Sequence, residues 1–380
     1  MGCSAALLLA EAGFEVALFD AAPAPMSGAS RWNEGKIHLG FLYAADPSLE
    51  TARRVIPGGL AFAPLLARLT GRDIGDAGGQ AEDVYLVLRD SVVTAEAMAA
   101  THAGVCGLLR DAGLADAATR RLSAADLAAF SGSDAVTAGF AVPERSVDTR
   151  HVADALAAAV VASPRIDLRC GTRVLAARPC GPDDGPWQVE TDTAEAGGRF
   201  DWVINALWHG RPAVDRTAGL AEPAAFTQRY RVALFLRAPG VEERGAVLSV
   251  GPFGDMKAYG DGRYYLSWYL AGLLVESTAE EVTEPPRPDP AAVIAATRAG
   301  LVPYLPGAAR VLDAAVDAVV AGGWVFALGR GSLSDPASAL HRRDAFGIRR
   351  RGRYLSVDTG KYSTAPWLAL RVADALAGAA

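Results

Sequence analysis

The chain alternates short apolar runs with Ala-rich stretches of helical spacing, and the order of these segments predicts its architecture. Gly2–Ala12 is rich in Ala and Leu and stops at Gly13, the residue that most easily closes a helix. Glu15–Asp20 is a continuous apolar run ending in an acid. Continuous rather than alternating apolarity predicts a parallel strand buried on both faces. Residues 21–30 form a Pro/Gly/Ala loop, and 31–43 mix polar and aromatic residues without a period. From about 50 to 130, Ala/Leu runs broken by Gly and Asp predict helices, with a strand at Asp83–Arg89 between them. Arg145–Ala162 reads as a turn and a helix with Asp148 or Thr149 as N-cap. Arg165–Arg178, Trp187–Asp192 and Asp201–Ala206 are expected strands.

Further on, Arg229–Arg237, Gly245–Val250, Met256–Tyr259 and Arg263–Tyr269 are short strands between Gly turns, which predicts an antiparallel sheet. An acidic, Pro-rich connector covers Glu276–Pro290, and a helix covers Ala291–Leu301. A strand at Gly322–Leu328, a loop at Gly329–Gly347, a strand at Tyr354–Val357 and a helix at Thr364–Ala377 close the chain. A parallel βα region, an antiparallel middle and a return to the first region describe an α/β nucleotide-binding domain carrying an inserted substrate domain.

Composition narrows the class. A chain of 380 residues is too long for one small core, which fits two intertwined domains. Half of it is apolar and a fifth charged, the profile of a soluble globular enzyme. The net charge of −6 leaves no basic excess for nucleic acid. Cys3, Cys106, Cys170 and Cys180 are scattered, with no metal-ligand spacing, and read as free thiols in a reducing cytoplasm. No apolar run reaches membrane-spanning length. Met1–Ala10 has no cationic flank and stops at Glu11, unlike a secretory signal, and Ala6 replaces the hydroxyl residue of a myristoylation start. Of 37 basic residues only Lys36, Lys257 and Lys361 are lysines. A lysine retained against that bias is a better functional candidate than a typical one.

Three stretches carry candidate chemistry. Gly2 opens a helix of small residues and Asp20 ends the following strand 18 positions later. A dinucleotide site needs a helix N-terminus on the pyrophosphate and an acid about 20 residues on for the ribose hydroxyls. If Gly2 is the third glycine of GxGxxG, the first strand and two glycines would stand before Met1, and the chain is expected to be N-terminally truncated. Any Ala-rich helix followed by a strand shares this pattern. Ser30–Gly40 (SRWNEGKIHLG) packs polar residues between glycines, as a backbone wrapping a ligand does. Asp358–Pro366 (DTGKYSTAP) places Gly-Lys and hydroxyls before a helix, an anion site that lacks the upstream glycine of a Walker A loop.

These stretches resemble the FAD-dependent oxidoreductases of the D-amino-acid oxidase family. They are most similar to its glycerol-3-phosphate dehydrogenase and 2-hydroxyglutarate oxidase branches, which carry an Ile-His-x-Gly and a Gly-Gly-Lys-Leu-Thr-Thr stretch. Here Thr359-Gly360 stands for Gly-Gly and Tyr362-Ser363 for Leu-Thr. The likeness covers nearly the whole chain, is strongest at 13–46 and 354–377, and weakest at 50–140. It implies an FAD-binding domain of residues 1–75, 145–222 and 322–380, and a substrate domain of 76–144 and 223–321. It further implies that Gly2, Asp20, Ser30, Arg31, Asn33, Gly35, Lys36, Val174, Ala206, Gly360, Lys361, Ser363 and Thr364 hold FAD, with Lys36 and His38 near the flavin or substrate.

Arg330 and Arg343, with His341, would hold a small anionic substrate; surface ion pairs of the kind expected for Arg349–Arg353 are the plainer alternative. Alternation would put Tyr265 and Tyr269 on one face of a strand and Tyr264 on the other, with one set lining the pocket or all of them packing in the core. The implied reaction is oxidation of a CH–OH or CH–NH centre by hydride transfer to the flavin, with His38 or His341 as base for an alcohol. The electron acceptor is not written in these residues. Two other readings remain: a flavoprotein without net redox chemistry, and an impaired remnant without tight FAD binding.

Overall fold

The computed structural model of the chain describes residues 1–73, 80–182, 185–193, 195–282 and 284–378. The expected domain boundary between 75 and 76, and residue 283 of the Pro-rich connector, lie outside the described residues.

One region is built on parallel pairs. Val16–Asp20 lies parallel to Ile166–Cys170. Val203–Asn205 lies parallel to Tyr354–Asp358, which Gly347–Arg351 flanks antiparallel. Helices Gly2–Glu11, Glu50–Thr70, Thr149–Ala162 and Ala365–Ala377 share one apolar core around these strands, including Leu8, Leu66, Val152, Val357 and Leu368. The second region is a sheet of nine strands. Phe226–Arg237 runs along Asp317–Leu328 for its full length, and the sheet continues through Arg263–Trp268, Gly254–Ala258 and Ala246–Ser249 to Asp83–Leu88 and Val136–Val142. Separate cores fill its two faces, one around Leu86, Leu234 and Leu266, the other around Tyr85, Met98 and Phe140.

Most expected elements form, and the departures have local causes. The helix at 149–162 starts after Asp148, whose carboxylate accepts from the Arg150 N–H. Val16–Asp20 is half-buried at every position rather than buried on both faces, because one edge borders a cavity. The single strand expected at 165–178 is two, broken at Gly171, whose φ of +67° turns the chain. Helix Glu50–Thr70 runs through Gly58-Gly59 without a break. Tyr269 leaves its strand for a short helical turn, so strand alternation does not govern it. The helix Gly307–Asp313 and the strands Gly198–Phe200 and Leu273–Ser277 carry no pattern strong enough to be expected.

Arg349 is half-buried, and its ion pairs run inward. It reaches Asp215, which is fully buried and also accepts from Arg211 (2.8 Å), Tyr354 (2.6 Å), Ser356 (2.5 Å) and Asn205 (2.9 Å). This carboxylate ties helix Arg211–Thr217 to three strands and sets the end of Tyr354–Asp358, from which the Gly360 loop departs. Breaking a buried ion pair by removing one partner costs about 3–5 kcal/mol. Asp215→Ala should lose that much in urea denaturation, whereas Asp154→Ala, which removes only the exposed pair with Arg31, should stay within about 1 kcal/mol.

Candidate active site

A cavity of about 1430 Å³ runs from Met1, Gly2 and Asp20 to His38, Arg343 and Lys361. Its walls come from both regions of the fold. The strand Val16–Asp20 and the Ser27–Asn33 loop form one side, and Val203–Gly210, Gly322–Val325 and Thr359–Tyr362 form others.

At the first end the helix N-terminus at Gly2 meets the cavity with no side-chain cap, so its first-turn N–H groups are open to an anion. A Cβ on Gly2 would touch only Leu18 and Ala206 at 3.6 and 3.8 Å, so no steric demand fixes glycine there. Asp20 accepts from the Ala22 N–H at 2.9 Å, and burial raises its carboxyl above the ordinary range. Val174 and Ala206 line the same stretch.

The Ser30–Gly40 segment is held from within and from behind. Asn33 bonds the Ala29 carbonyl at 2.8 Å and accepts from the Gly35 N–H at 2.8 Å. Gly35 has φ +63°, and a Cβ there would lie 1.8 Å from the Val147 carbonyl oxygen, so only glycine fits. Ser30 and Asn33 line the cavity; Arg31 turns away to Asp154 and Gly35 stays behind the wall. Lys36 also reaches the cavity, but its ammonium is bonded to Asp83, with Glu144 at 3.8 Å. Burial would lower its pKa; the two carboxylates outweigh it and hold the charge. Lys257 shares Asp83 from the other side at 2.8 Å, and burial lowers its pKa.

The two distant segments meet at His38. Its N–H donates to Ser363 Oγ at 3.2 Å, which places Ser363 behind the wall as a backbone partner. Thr364 is likewise turned inward, bonding the Thr359 and Lys361 carbonyls. Helix Glu50–Thr70 closes on this junction through two glycines: a Cβ on Gly58 would lie 2.7 Å from Thr364, and one on Gly59 2.4 Å from the His38 carbonyl. Gly360 has φ +63°, and a Cβ there would enter the Phe346 ring at 2.5 Å.

The His38 ring is buried and its Nδ1 has no partner. Burial, then the charges of Lys361 and Lys36, push its pKa well below the ordinary value, so the ring is neutral. Lys361 is half-buried, lies 5.4 Å over the Tyr43 ring, and is pushed down to about 7 by burial and by Arg343. Arg343 lines the cavity with its Nη1 buried and unpartnered.

Two of the residues expected at the substrate also fall outside the cavity. Arg330 sits exposed in the Gly329–Gly331 turn, and His341 points its ring at the Asp335 carbonyl, 2.9 Å away; neither lines the cavity. The glycine-flanked arginine is carried outward by a turn that needs both glycines, at φ +103° and +137°. Tyr265, one of the tyrosines expected to line a pocket or pack in the core, lines the cavity; sequence reasoning did not single out Glu34 or Arg231, which also line it, or Glu144 behind it. Lysine scarcity marked Lys257 together with Lys36 and Lys361, and the three lie close to one another here.

The model of the DAO family, FAD dependent oxidoreductase, matches residues 1–344, and the chain belongs to that family of enzymes. No curated protein matches the chain in sequence. Among solved structures, it is similar to glycine oxidase from Geobacillus kaustophilus (TM-score 0.66, 17% identity, 98% of this chain and 90% of that one). It is also similar to L-proline dehydrogenase from P. horikoshii (TM-score 0.67, 14% identity, 98% and 90%). A third is L-alpha-glycerophosphate oxidase from Mycoplasma pneumoniae (TM-score 0.61, 14% identity, 99% and 91%). Likeness at this identity extends to the fold. Members of the family bind FAD, and the residues present fit it: an uncapped helix N-terminus, an acid at a strand end, and a cationic far end share one cavity. Among the described residues no helix is long and apolar enough to cross a membrane, and no acid–His–Cys group could hold a metal.

The depressed Lys361 fixes a sign. Its folded pKa near 7 lies below its ordinary 10.5, so folding disfavours the ammonium. Stability from this group is full above 10.5, falls as pH drops toward 7, and is constant below. ¹³C-Dimethylated protein without FAD carries signals from three lysines and the Met1 amine; the signal that Lys361→Met removes should titrate near pH 7, while Lys36 stays charged. An Lys361 signal titrating near 10 would contradict this cause.

Proposed function

We propose that the chain is an FAD-dependent oxidoreductase that oxidises a small anionic substrate at a CH–NH centre, the motifs being nearest the glycerol-3-phosphate dehydrogenase and 2-hydroxyglutarate oxidase branches. On this reading Gly2 and Asp20 face the dinucleotide, and Ser30, Asn33, Val174, Ala206 and Gly360 line its path. Residues 1–75, 145–222 and 322–380 carry the cofactor, and 76–144 with 223–321 carry the substrate sheet. FAD, when bound, supplies the two-electron acceptor for the hydride.

The observation that carries the reading is the cationic end of the cavity, where Arg231, Arg343 and Lys361 face the same space beside a neutral His38. Cations hold a carboxylate bidentately and orient the adjacent carbon. The same charges lower the pKa of a substrate ammonium bound among them, so the amine is held neutral with its lone pair free. Oxidation to the imine then releases a hydride to the cofactor and a proton to solvent, and no protein base is required.

A second reading, oxidation of a CH–OH centre, is favoured by one feature. His38 lines the cavity as a neutral imidazole, the protonation state a base for a hydroxyl proton needs. Anaerobic mixing of the FAD-loaded enzyme with panels of 2-amino and 2-hydroxy acids separates the two, with loss of the oxidised flavin band as readout. If the substrate is an amine, His38→Asn should slow reduction less than about 10-fold. If it is an alcohol, loss of a general base should slow it about 100-fold or more. FAD uptake with no reduction by any member of either panel would reject both.

A further inference from the structure

Glu34 brings a carboxylate into the cationic end of the cavity, which Arg231, Arg343 and Lys361 also line. The charges of Lys361 and Arg231 act on it, yet among the described residues no cation lies within ion-pair distance of this carboxylate. Lys36, which also faces it, is committed to Asp83 and Glu144. Backbone anchors hold the charges apart. Asn33 accepts from the Gly35 N–H at 2.8 Å and so brackets residue 34, whose carbonyl accepts from the Tyr259 hydroxyl at 3.0 Å. Lys361 follows the left-handed Gly360 under the Phe346 ring, and its carbonyl accepts from Thr364 Oγ1 at 2.7 Å. The Arg231 guanidinium is laid 4.3 Å over the Tyr269 ring.

Burial by itself would raise the Glu34 carboxyl. The charge of Lys361, the residue's own backbone N–H and the charges of Arg231 and Lys36 outweigh it and hold the group below its ordinary value, ionised at neutral pH. Asp255, Tyr43, Tyr259 and Tyr265 face Glu34 from the other elements around it, and burial raises all four. None of them supplies a positive charge. A carboxylate and cations that face one cavity without meeting are each costly to keep from water. A bound monoanion would satisfy the cations and be repelled by Glu34, and a bound cation would do the reverse. A ligand that carries both charges a few bonds apart satisfies both sides.

We infer that Glu34 is a specificity-determining residue: its carboxylate takes the amino group of the substrate, across from the cations that take the substrate carboxylate, so the site selects a 2-amino acid over the 2-hydroxy acid of the same shape. A 2-amino acid arrives as a zwitterion. Its nitrogen presents N–H donors as an ammonium and as a neutral amine, so the contact survives the loss of a proton that precedes hydride transfer. A hydroxyl in the same place offers a single uncharged donor, and a hydrogen bond with a charged donor is the stronger.

The inference rests on the amine reading of the reaction, but binding tests it apart from oxidation. 2-Aminoisobutyrate and 2-hydroxyisobutyrate share one shape and lack a hydrogen on the 2-carbon, so neither can give up a hydride. Calorimetric titration near neutral pH and at fixed ionic strength compares them on the chain with and without FAD. Aminoisobutyrate should bind about 10-fold tighter or more. In Glu34→Gln, which keeps the shape and removes the charge, that preference should disappear, while the circular dichroism and urea midpoint show the chain folded. Hydroxyisobutyrate bound as tightly as aminoisobutyrate by the unaltered chain, no binding of either, or a preference that persists in the folded variant would overturn the role of Glu34. Flavin reduction by 2-amino acids in a chain without the preference would keep the oxidoreductase reading and remove that role. A preference that depends on Glu34, with no 2-amino acid reducing the flavin, would sink the oxidation and leave the amino-group site standing.

Discussion

Glu144 is fully buried, and one of its carboxylate oxygens accepts from three consecutive backbone N–H groups, Leu39 at 2.6 Å, Gly40 at 3.0 Å and Phe41 at 3.3 Å. Its other oxygen takes the Tyr85 hydroxyl at 2.5 Å and has the Lys36 ammonium 3.8 Å away. A charge taken this far from water persists only when its lone pairs are filled. The need is met by threading the His38–Phe41 loop over it. The same requirement brings Asp83 between Lys36 and Lys257, so that two carboxylates and two ammonium groups balance inside the large sheet. The position of the candidate active-site loop is thus set by the solvation of a carboxylate on the neighbouring region.

This balance gives a reference for the rest of the cavity. Behind its wall Lys36 and Lys257 are paired with Asp83 and Glu144, and Arg211 and Arg349 with Asp215 and Glu222. On the wall itself, no carboxylate among the described residues lies within ion-pair distance of Arg231, Arg343 or Lys361, and Glu34 faces Arg231 and Lys361 from farther off. One rule, that buried charge needs a counter-charge, marks the first set as scaffold and the second as a place for a ligand. The division follows chemistry as well. Lys36 is held charged by its two carboxylates, whereas burial and the neighbouring cations push Lys361 down to about 7 and Arg343 down to about 10.

Backbone geometry sets the precision of the junction. Gly58 and Gly59 let helix Glu50–Thr70 approach the Thr364 turn and the His38 carbonyl to distances no Cβ allows. Gly360 takes a left-handed turn under the Phe346 ring, and Gly35 does so against Val147. These close approaches fix the two loops that carry His38 and Lys361.

Local pattern alone determined a good deal. The helix at Gly2, the acid ending the next strand, the Asp148 cap and the closing helix depend on neighbours a few residues apart, and short-range preferences fix them. The meeting of Ser30–Gly40 with Asp358–Thr364 was also legible, because each stretch carries glycines and polar groups that a simple loop does not need. What tertiary structure decided is which polar residues face the cavity. Arg330 and Arg343 look alike in sequence, yet two left-handed glycines turn the first outward and the second lies against Tyr43 and Arg229. Arg231 sits in a strand whose pattern marks only a sheet; that it shares a cavity with Glu34 and Lys361 is a fact about residues over a hundred positions away. Compensation of buried charge is a sum over neighbours in space, and no reading along the chain can carry it out.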